Sequence, residues 1–203
     1  MRFFWRFAWQ IVNPLLRILF GFRVYGRENI PKQGGVLLAA NHRANLDPPV
    51  VGAAATREVH FMAKEGLFRV SRLFTWLITT FNTFPLRREG GDHQAIKTVT
   101  GLLRQGRAIV IFPEGTRSKT GVMLPAKMGV GYLALTTGCP VVPTSIAGTN
   151  RKITDLLLGR ARIEVRFGPA IRDLSQYPPE KEGYRQLSEE VIRKIAALET
   201  GDR

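Results

Sequence analysis

Short apolar runs alternate with amphipathic segments along most of this chain. Seven runs of about four to seven residues predict β-strands. These are Arg23–Gly26, Val36–Asn41, Val59–Ala63, Thr80–Leu86, Ala108–Phe112, Val141–Ala147 and Ile163–Phe167. Segments of helical period predict helices at Pro48–Ala55, Ser71–Ile78, Asp92–Arg104, Met128–Thr137 and Pro179–Leu198. Strands that alternate with helices predict an α/β fold, a mixed sheet flanked by helices, in one domain over residues 23–203.

The first 22 residues follow a different pattern. On a helical wheel their polar positions fall within about 80°, at roughly 100° per residue. They are Arg2, Arg6, Gln10, Asn13 and Arg17. The other positions are mostly Phe, Trp, Ile and Leu, so residues 1–22 are predicted to form an amphipathic helix at a membrane interface. The alternative is a helix that packs on the domain's own core, and Pro14 predicts a kink or a break.

Neither a transmembrane span nor a signal peptide fits this segment. Polar residues interrupt the apolar run too often for a span. The segment also lacks a compact apolar core after a basic start, and it lacks a small-x-small cleavage site. The predicted location is therefore the cytoplasmic face of the cell membrane, with peripheral or monotopic attachment.

The composition restricts the class of partner. The 203 residues carry a net charge of +14, which indicates an anionic partner. Nucleic acid is the obvious alternative to a lipid surface. However, the arginines are spread along the whole chain, and no RNA-binding signature, helix-turn-helix or zinc-finger spacing is present. With the aromatic helix at its start, the chain is predicted to bind an anionic membrane surface and no nucleic acid.

Three other features of the sequence carry no chemistry in this interpretation. Cys139 is the only cysteine, and it is predicted to be an inert buried thiol. His60 and His93 have no second ligand at a familiar spacing, so we predict no metal site. Residues 129–134 match the dinucleotide pattern G-x-G-x-x-A, but no strand precedes them. Those glycines are predicted to let a helix pack close to the sheet.

The candidate catalytic residues are His42 and Asp47, in the connection after the second predicted strand. A histidine with a carboxylate beside it is suited to act as a general base with an orienting partner. On one helix, residues five apart diverge by about 140°, so the backbone has to turn between them. The two prolines after Asp47 indicate that this residue closes the loop and caps the next helix.

Two further connections carry polar residues after apolar runs. Residues 112–118 read Phe-Pro-Glu-Gly-Thr-Arg-Ser, in which Thr116 and Arg117 supply donors and Gly115 allows close backbone approach. Residues 83–89 read Thr-Phe-Pro-Leu-Arg-Arg-Glu. The carboxyl ends of strands in α/β sheets gather active residues, so we expect these connections to share one site with His42.

Together these blocks resemble the glycerolipid acyltransferases, most closely the bacterial 1-acylglycerol-3-phosphate acyltransferases. That family carries N-H-x-x-x-x-D, an arginine block, F-P-E-G-T-R-S and a proline block near P-V-V-P. All four occur here in order, and the resemblance covers about residues 23–170. The arginine block departs from a common form in which Asp or Asn precedes the arginine. Arg87 stands there, so the family arginine is assigned to Arg88, with Arg87 as a helper.

The resemblance implies transfer of a fatty acyl group from a thioester to the 2-hydroxyl of 1-acylglycerol-3-phosphate, giving phosphatidic acid. His42 would take the hydroxyl proton, and Asp47 would orient His42. The phosphate would be bound by Arg88 and Arg117, with backbone donors near Gly115. No cofactor is expected, only acyl-coenzyme A or acyl carrier protein as co-substrate.

For two residues of this assignment, the sequence leaves two roles open. Glu114 is predicted to position the acceptor or Arg117, or else to form a structural salt bridge. Lys127 is predicted to reach the same phosphate as Arg117, or else to be a surface lysine. The function also keeps alternatives, which are another lysolipid or an amino-acid lipid as acceptor, and a non-catalytic basic module that binds membranes.

Overall fold

The computed structural model describes residues 3–86, 93–118 and 120–200. Its strands are β1 Arg23–Tyr25, β2 Val36–Ala40, β3 Val59–Lys64, β4 Thr83–Leu86, β5 Ala108–Ile111, β6 Val141–Ala147 and β7 Glu164–Phe167. Its helices are α1 Phe3–Phe20, α2 Asp47–Ala54, α3 Arg72–Thr80, α4 His93–Arg104, α5 Gly129–Thr137, α6 Ile153–Leu157 and α7 Lys181–Thr200. Two 3-10 turns lie at Arg27–Asn29 and Glu65–Arg69.

The strands form one mixed sheet in the order β1-β7-β6-β2-β5-β3-β4. β6, β2, β5, β3 and β4 are parallel, whereas β7 pairs antiparallel with β6 and parallel with β1. β2 lies near the centre, and all five of its residues are buried. A strand that is covered on both faces has to be apolar throughout, which explains the run Val-Leu-Leu-Ala-Ala.

Helices cover both faces of the sheet and divide the core in two. On one face α1, α2 and α6 pack on side chains such as Leu38, Val110 and Val142. On the other face α4, α5 and α7 pack on Leu37, Ile109 and Val141. Consecutive residues of each strand point to opposite faces, so both clusters come from the same strands.

The predicted mixed α/β sheet is confirmed, and every predicted strand and helix is present, β6 with the predicted bounds and most others with a shifted end. The helix predicted from Asp92 is described from His93 onward, and Asp92 lies outside the described residues. The short helix α6 was not predicted, because five residues are too few to display a helical period. Pro14 lies inside α1 without dividing it, so the predicted break is wrong.

Helix α1 has two different faces. Its inner side packs on the domain and holds Trp5, Trp9, Asn13, Leu16 and Phe20. Its outer side holds apolar residues that are 37–81% exposed. They are Ile11, Val12, Leu15, Ile18 and Leu19. The helix therefore packs on the core, which was the alternative prediction, and also presents an apolar surface outward.

The polar stripe predicted for α1 is not uniformly exposed. Gln10 and Arg17 are exposed, but Asn13 is buried. The side-chain amide of Asn13 donates to the Ala53 carbonyl at 2.6 Å, and Arg27 donates to its oxygen at 3.3 Å. The buried amide is thus satisfied on both sides, as a buried polar group requires. Among the described residues, no helix combines the length and the apolarity needed to cross a membrane.

Gly131 allows close packing, but against a different element from the one predicted. A Cβ at this position would lie 2.0 Å from the Tyr184 carbonyl oxygen of α7. The glycine therefore lets α5 approach α7 and not the sheet. As expected, residues 124–127 before this helix form no strand, which removes the dinucleotide motif.

Candidate active site

The site lies at the carboxyl edge of the parallel strands, where β2 and β5 end side by side. Asn41, the residue after β2, joins this edge to β6. Its amide nitrogen donates to the Ile146 carbonyl at 2.9 Å, and its oxygen accepts from the Ile146 N–H at 2.7 Å. This reciprocal pair fixes the point at which the chain leaves β2 and enters the loop with His42.

His42 and Asp47 meet as predicted, since Nδ1 of the imidazole lies 2.8 Å from Oδ2 of the carboxylate. The backbone turns between them at residues 43–46, so the divergence expected on a helix does not arise. The same Oδ2 atom accepts from the N–H groups of Arg43 at 2.6 Å and Ala44 at 2.7 Å. The local sequence thus builds the dyad within one short loop.

The predicted capping role of Asp47 is wrong. Asp47 is the first residue of α2, the cap position belongs to Leu46, and no side chain caps this helix. The carboxylate points back to the loop because two N–H groups and the imidazole bind it there. Pro48 and Pro49, which have no N–H, leave fewer donors in the first turn to be satisfied.

Asp47 is buried with no exposed surface, and its second oxygen is also bonded. Thr149, in the loop after β6, donates its hydroxyl to Oδ1 at 2.6 Å. Burial by itself would raise the pKa of Asp47. The hydrogen bonds from His42, Ala44, Thr149 and Arg43 outweigh burial, so the pKa of Asp47 is below its ordinary value. The group is a carboxylate at neutral pH.

Glu114 supports the loop of His42 from the neighbouring strand. Its side chain is 2% exposed. One carboxylate oxygen accepts from the His42 N–H at 2.8 Å, and the other accepts from the Leu124 N–H at 2.8 Å. Among the described residues, the two oxygens bind neither Arg117 nor a salt-bridging side chain, and the predicted contact with the acceptor stays a prediction. The carboxylate instead joins the β2 loop to residue 124, which lies beyond the β5 loop.

The β5 loop holds His42 at two further points. The Ser118 N–H donates to the His42 carbonyl at 2.9 Å. The Phe112 ring stacks on the imidazole, with centroids 4.1 Å apart and planes 20° apart. The His42 side chain keeps 18% of its surface exposed, while Nδ1 faces the buried carboxylate. The ring is therefore held in place yet still open to a ligand.

Cationic side chains lie beside this dyad. Arg117 is exposed and donates to the Asn45 side chain at 2.6 Å, so it lies over the loop between His42 and Asp47. The Lys127 side chain packs against the α-carbon of Gly115. A Cβ added to Gly115 would lie 2.9 Å from the lysine Nζ. Gly115 has a φ of +68°, a conformation that favours glycine. The structure thus brings Arg117, Lys127 and Thr116 to the same two loops.

One predicted donor is already occupied. The N–H of Gly115 donates to the Phe112 carbonyl at 2.9 Å, within the turn that follows β5. Gly115 therefore contributes close approach and not its own N–H. Arg87 and Arg88 lie outside the described residues, so their predicted role stays a prediction.

Cys139 is buried, as expected of an inert thiol. In the described part of the chain, no group of three or more His, Cys, Asp or Glu residues is placed to hold a metal ion. A groove of about 790 Å³ runs along α3 instead of at the dyad. His42 and Asp47 are not among the residues that line it.

Sequence reasoning missed Asn41, Phe112 and Thr149 as parts of the site. Asn41 and Phe112 are the last residues of predicted strands. This position at the carboxyl edge of the sheet could have identified them as residues near the site. Thr149 lies 102 residues from Asp47, and nothing in its neighbourhood marks it as a partner of that carboxylate. Only the adjacency of β6 and β2 brings the two together.

A mixed sheet that carries a His–Asp dyad and cationic loops at its carboxyl edge is the architecture of acyltransferases. The family model described as Acyltransferase matches residues 21–147. This protein belongs to that family, as its motifs indicated.

Relatives of known name share most of the chain's length. A 1-acyl-sn-glycerol-3-phosphate acyltransferase from Bacillus subtilis is 27% identical over 96% of both chains. The protein of that name from Borreliella burgdorferi is 30% identical over 86% of this chain and 72% of its own. The crystal structure of the 1-acyl-sn-glycerophosphate (LPA) acyltransferase PlsC from Thermotoga maritima matches with a TM-score of 0.69 and 27% identity. It covers 100% of this chain and 85% of that one.

Proposed function

We propose that this acyltransferase moves a fatty acyl group from a thioester to the 2-hydroxyl of 1-acylglycerol-3-phosphate, giving phosphatidic acid. The observation that carries the proposal is the 2.8 Å bond between His42 and the buried Asp47, in a loop that cationic side chains flank. The names of the bacterial relatives support the choice of substrate.

His42 acts as the general base in this reaction. Asp47 accepts the Nδ1–H, which leaves Nε2 to take the proton of the acceptor hydroxyl. The hydroxyl oxygen forms the new ester bond with the thioester carbonyl carbon, and the carbon–sulfur bond breaks. The thiolate leaves and receives the proton from the imidazolium. The lowered pKa of Asp47 keeps it negatively charged, so it stabilises the imidazolium between these two proton transfers.

The phosphate of the acceptor binds to the cationic side chains near the dyad. Arg117 uses one nitrogen for Asn45, and its guanidinium has further N–H donors for phosphate oxygens. Lys127 supplies a second positive charge over Gly115, with Thr116 beside it. Arg88, assisted by Arg87, completes the phosphate site. Glu114 acts through the backbone of His42 instead of touching the acceptor.

The protein works at the cytoplasmic face of the cell membrane, where its acceptor is found. The exposed apolar side of α1 lies in the headgroup boundary, and the net charge of +14 attracts the anionic surface. The acyl donor is coenzyme A or acyl carrier protein, both of which are acidic. The same positive charge favours either donor.

Thiol release from an acyl-coenzyme A, with 1-acylglycerol-3-phosphate in anionic micelles, tests the proposal. The native chain is compared with His42→Ala and with His93→Ala, which changes an exposed histidine on α4. We expect turnover that needs both substrates and falls by about 10²–10⁴-fold in His42→Ala only, the range typical of a general base.

Each other outcome has a defined meaning. Turnover that survives in His42→Ala would remove this residue from the mechanism. A native chain that acylates lysolipids without a phosphomonoester equally well would remove Arg117 and Lys127 from the acceptor site. If acyl-coenzyme A gives no turnover, the same comparison is made with acyl carrier protein.

A further inference from the structure

Helix α3 contacts the domain without burying any of its own residues. Its outward side carries Leu73, Trp76 and Leu77, which are 74%, 54% and 43% exposed. The preceding segment adds Leu67 in the 3-10 turn and Val70 directly after it, at 42% and 66% exposed. Five large apolar side chains within eleven residues thus face outward.

Such a cluster differs from the scattered apolar residues of an ordinary protein surface. Single exposed leucines are common and need no explanation, whereas contiguous apolar patches mark places where another surface binds. The inner side of α3 holds the half-buried Phe74 and Ile78. The helix therefore already has apolar residues for its own packing, and the outer set is additional to them.

The surroundings of this cluster are cationic. Arg69 and Arg72 are exposed beside Trp76, and all three line the groove of about 790 Å³. Apolar side chains next to arginines are the combination that favours an anionic lipid surface. The apolar groups enter the headgroup region while the guanidinium groups bind phosphates. Arg69 also pairs with Glu65 at 3.0 Å, whereas Arg72 has no ion pair among the described residues, so a partner protein with an uncharged apolar surface would leave the charge of Arg72 unmatched.

The position of α3 links this cluster to α1. The Trp5 ring of α1 meets the Phe81 ring at the end of α3 edge to face, with centroids 5.8 Å apart. Both rings pack on the core cluster that lies on the α1 side of the sheet. The start of α1 and the end of α3 thus pack on the same side of the sheet.

The turn at Glu65–Arg69 also lies close to the chemistry. It begins directly after β3, which is parallel to β5 and β2, so it leaves the same edge of the sheet as the loop of His42. A lipid surface that touches this turn is brought to the edge at which the dyad is open.

We propose that α3 and the turn before it, residues 65–80, form a second lipid-binding surface that docks on an anionic bilayer together with α1. This surface deepens the proposed function, on which it rests for the identity of the membrane-borne acceptor. Two contacts along one side of the domain orient the carboxyl edge of the sheet toward the bilayer, where one contact would leave it free to tilt.

Co-sedimentation with vesicles of phosphatidylglycerol and phosphatidylcholine tests the surface. The variant Leu73→Ser/Leu77→Ser removes exposed apolar groups, and Leu73→Met/Leu77→Met is the matched control that keeps them. We expect the serine variant to lose at least about tenfold in partition to phosphatidylglycerol vesicles, because both substitutions withdraw apolar groups from the lipid. The methionine variant stays within about twofold of the native chain.

Trp76 provides a second measurement that does not depend on the leucines. Vesicles with brominated acyl chains quench a tryptophan that enters them, and we expect the quenching of the native chain to exceed that of Trp76→Phe. Equal quenching in the two chains would place Trp76 outside the lipid and overturn the proposal.

A water-soluble, short-chain 1-acylglycerol-3-phosphate separates this proposal from the proposed function. Both leucine variants should acylate it at the native rate, because neither leucine belongs to the catalytic site. A native chain inactive on it would defeat the proposed function, and the vesicle result would still decide the surface. Unchanged vesicle binding by the serine variant would overturn the proposal that residues 65–80 bind lipid. If the native chain is a dimer that dissociates in the serine variant while vesicle binding stays intact, α3 forms a contact between copies of the chain instead.

Discussion

Asp47 receives four donors on its two carboxylate oxygens, and only one of them is His42, the proposed general base. The others are the N–H groups of Arg43 and Ala44 and the hydroxyl of Thr149. An orienting carboxylate has to stay fixed while the imidazole gains and loses charge. The backbone donors fix Oδ2, and the hydroxyl of Thr149 fixes Oδ1. In the proposed mechanism, Thr149 is thus a positioning residue that acts through Asp47.

We expect Thr149→Val to lower kcat by about tenfold, since it removes a hydrogen bond to a buried charge, worth about 1.5–3 kcal/mol. Thr149→Ser, which keeps the hydroxyl, should restore most of the rate. Steady-state kinetics of the two variants measures both. A serine variant as slow as the valine variant would show that the methyl group matters and the hydroxyl does not.

The same substitution has a defined effect on stability against pH. The pKa of Asp47 in the folded protein is below its unfolded value of about 3.9. Its contribution to stability is therefore full above about pH 4 and is lost as the pH falls through the lowered pKa. Thr149→Val raises that pKa, so the contribution shrinks. Thermal denaturation should show the largest deficit of the valine variant near neutral pH and a smaller deficit toward about pH 2.

At the scale of elements, Glu114 contacts a loop that lies 72 residues away from it in sequence. Its carboxylate binds His42 of the β2 loop and Leu124 of the segment beyond β5 at the same time. Since His42 also stacks on Phe112, the two loops form one unit. His42 and Asp47 are close in sequence, but their position relative to the cationic loop depends on the two hydrogen bonds of Glu114.

We expect Glu114→Gln to lower kcat and the melting temperature together, because an amide nitrogen cannot accept the second N–H. The loss of one charge-assisted bond, about 1.5–3 kcal/mol, corresponds to about 3–12 °C. KM for 1-acylglycerol-3-phosphate should change by less than about twofold. Thr116→Ala, at the exposed neighbouring position, should leave the melting temperature unchanged.

A direct contact between Glu114 and the substrate gives the reverse pattern. KM for the acceptor would then rise while the melting temperature stayed at its native value. Calorimetry and acceptor titration on the same preparation distinguish the two roles.

The elements themselves could be predicted from the sequence, because the central strands are continuous apolar runs, strands nearer the edge such as β7 alternate, and each long helix shows its period. The contact between His42 and Asp47 could also be predicted, since five residues and two prolines define the turn. The partners of Glu114 and Asp47 could not. They depend on which strands are neighbours, and a sequence pattern does not contain the order β6-β2-β5. The burial of Asn13 could not be predicted for a related reason, because its carbonyl partner at Ala53 lies on another helix.

For the whole molecule, the net charge of +14 makes attraction to a bilayer depend on salt. From about 0.1 M to about 1 M salt the Debye length shrinks from about 10 Å to about 3 Å. We expect binding to phosphatidylglycerol vesicles to fall steeply over this range. The binding that remains at high salt should match binding to phosphatidylcholine vesicles, because salt does not screen the contribution of the apolar side chains of α1 and α3.

Co-sedimentation at a series of salt concentrations measures this directly. Binding that does not change with salt would mean that the charge plays no part in attachment. Equal, salt-sensitive binding to DNA and to vesicles would instead show a general attraction to polyanions.

The hydrogen bonds of Asn13 have a further consequence for the way α1 is attached. Ala53 and Arg27 hold this side chain from two elements, and those bonds set the roll angle of the helix about its own axis. A helix locked in this way is no flexible tether. Any surface that receives its outer residues meets the entire domain in one orientation, and His42 stands at one fixed height above that surface. The distance between His42 and that surface is then fixed by the rigid domain. A substrate held in the surface has to extend over that distance to react.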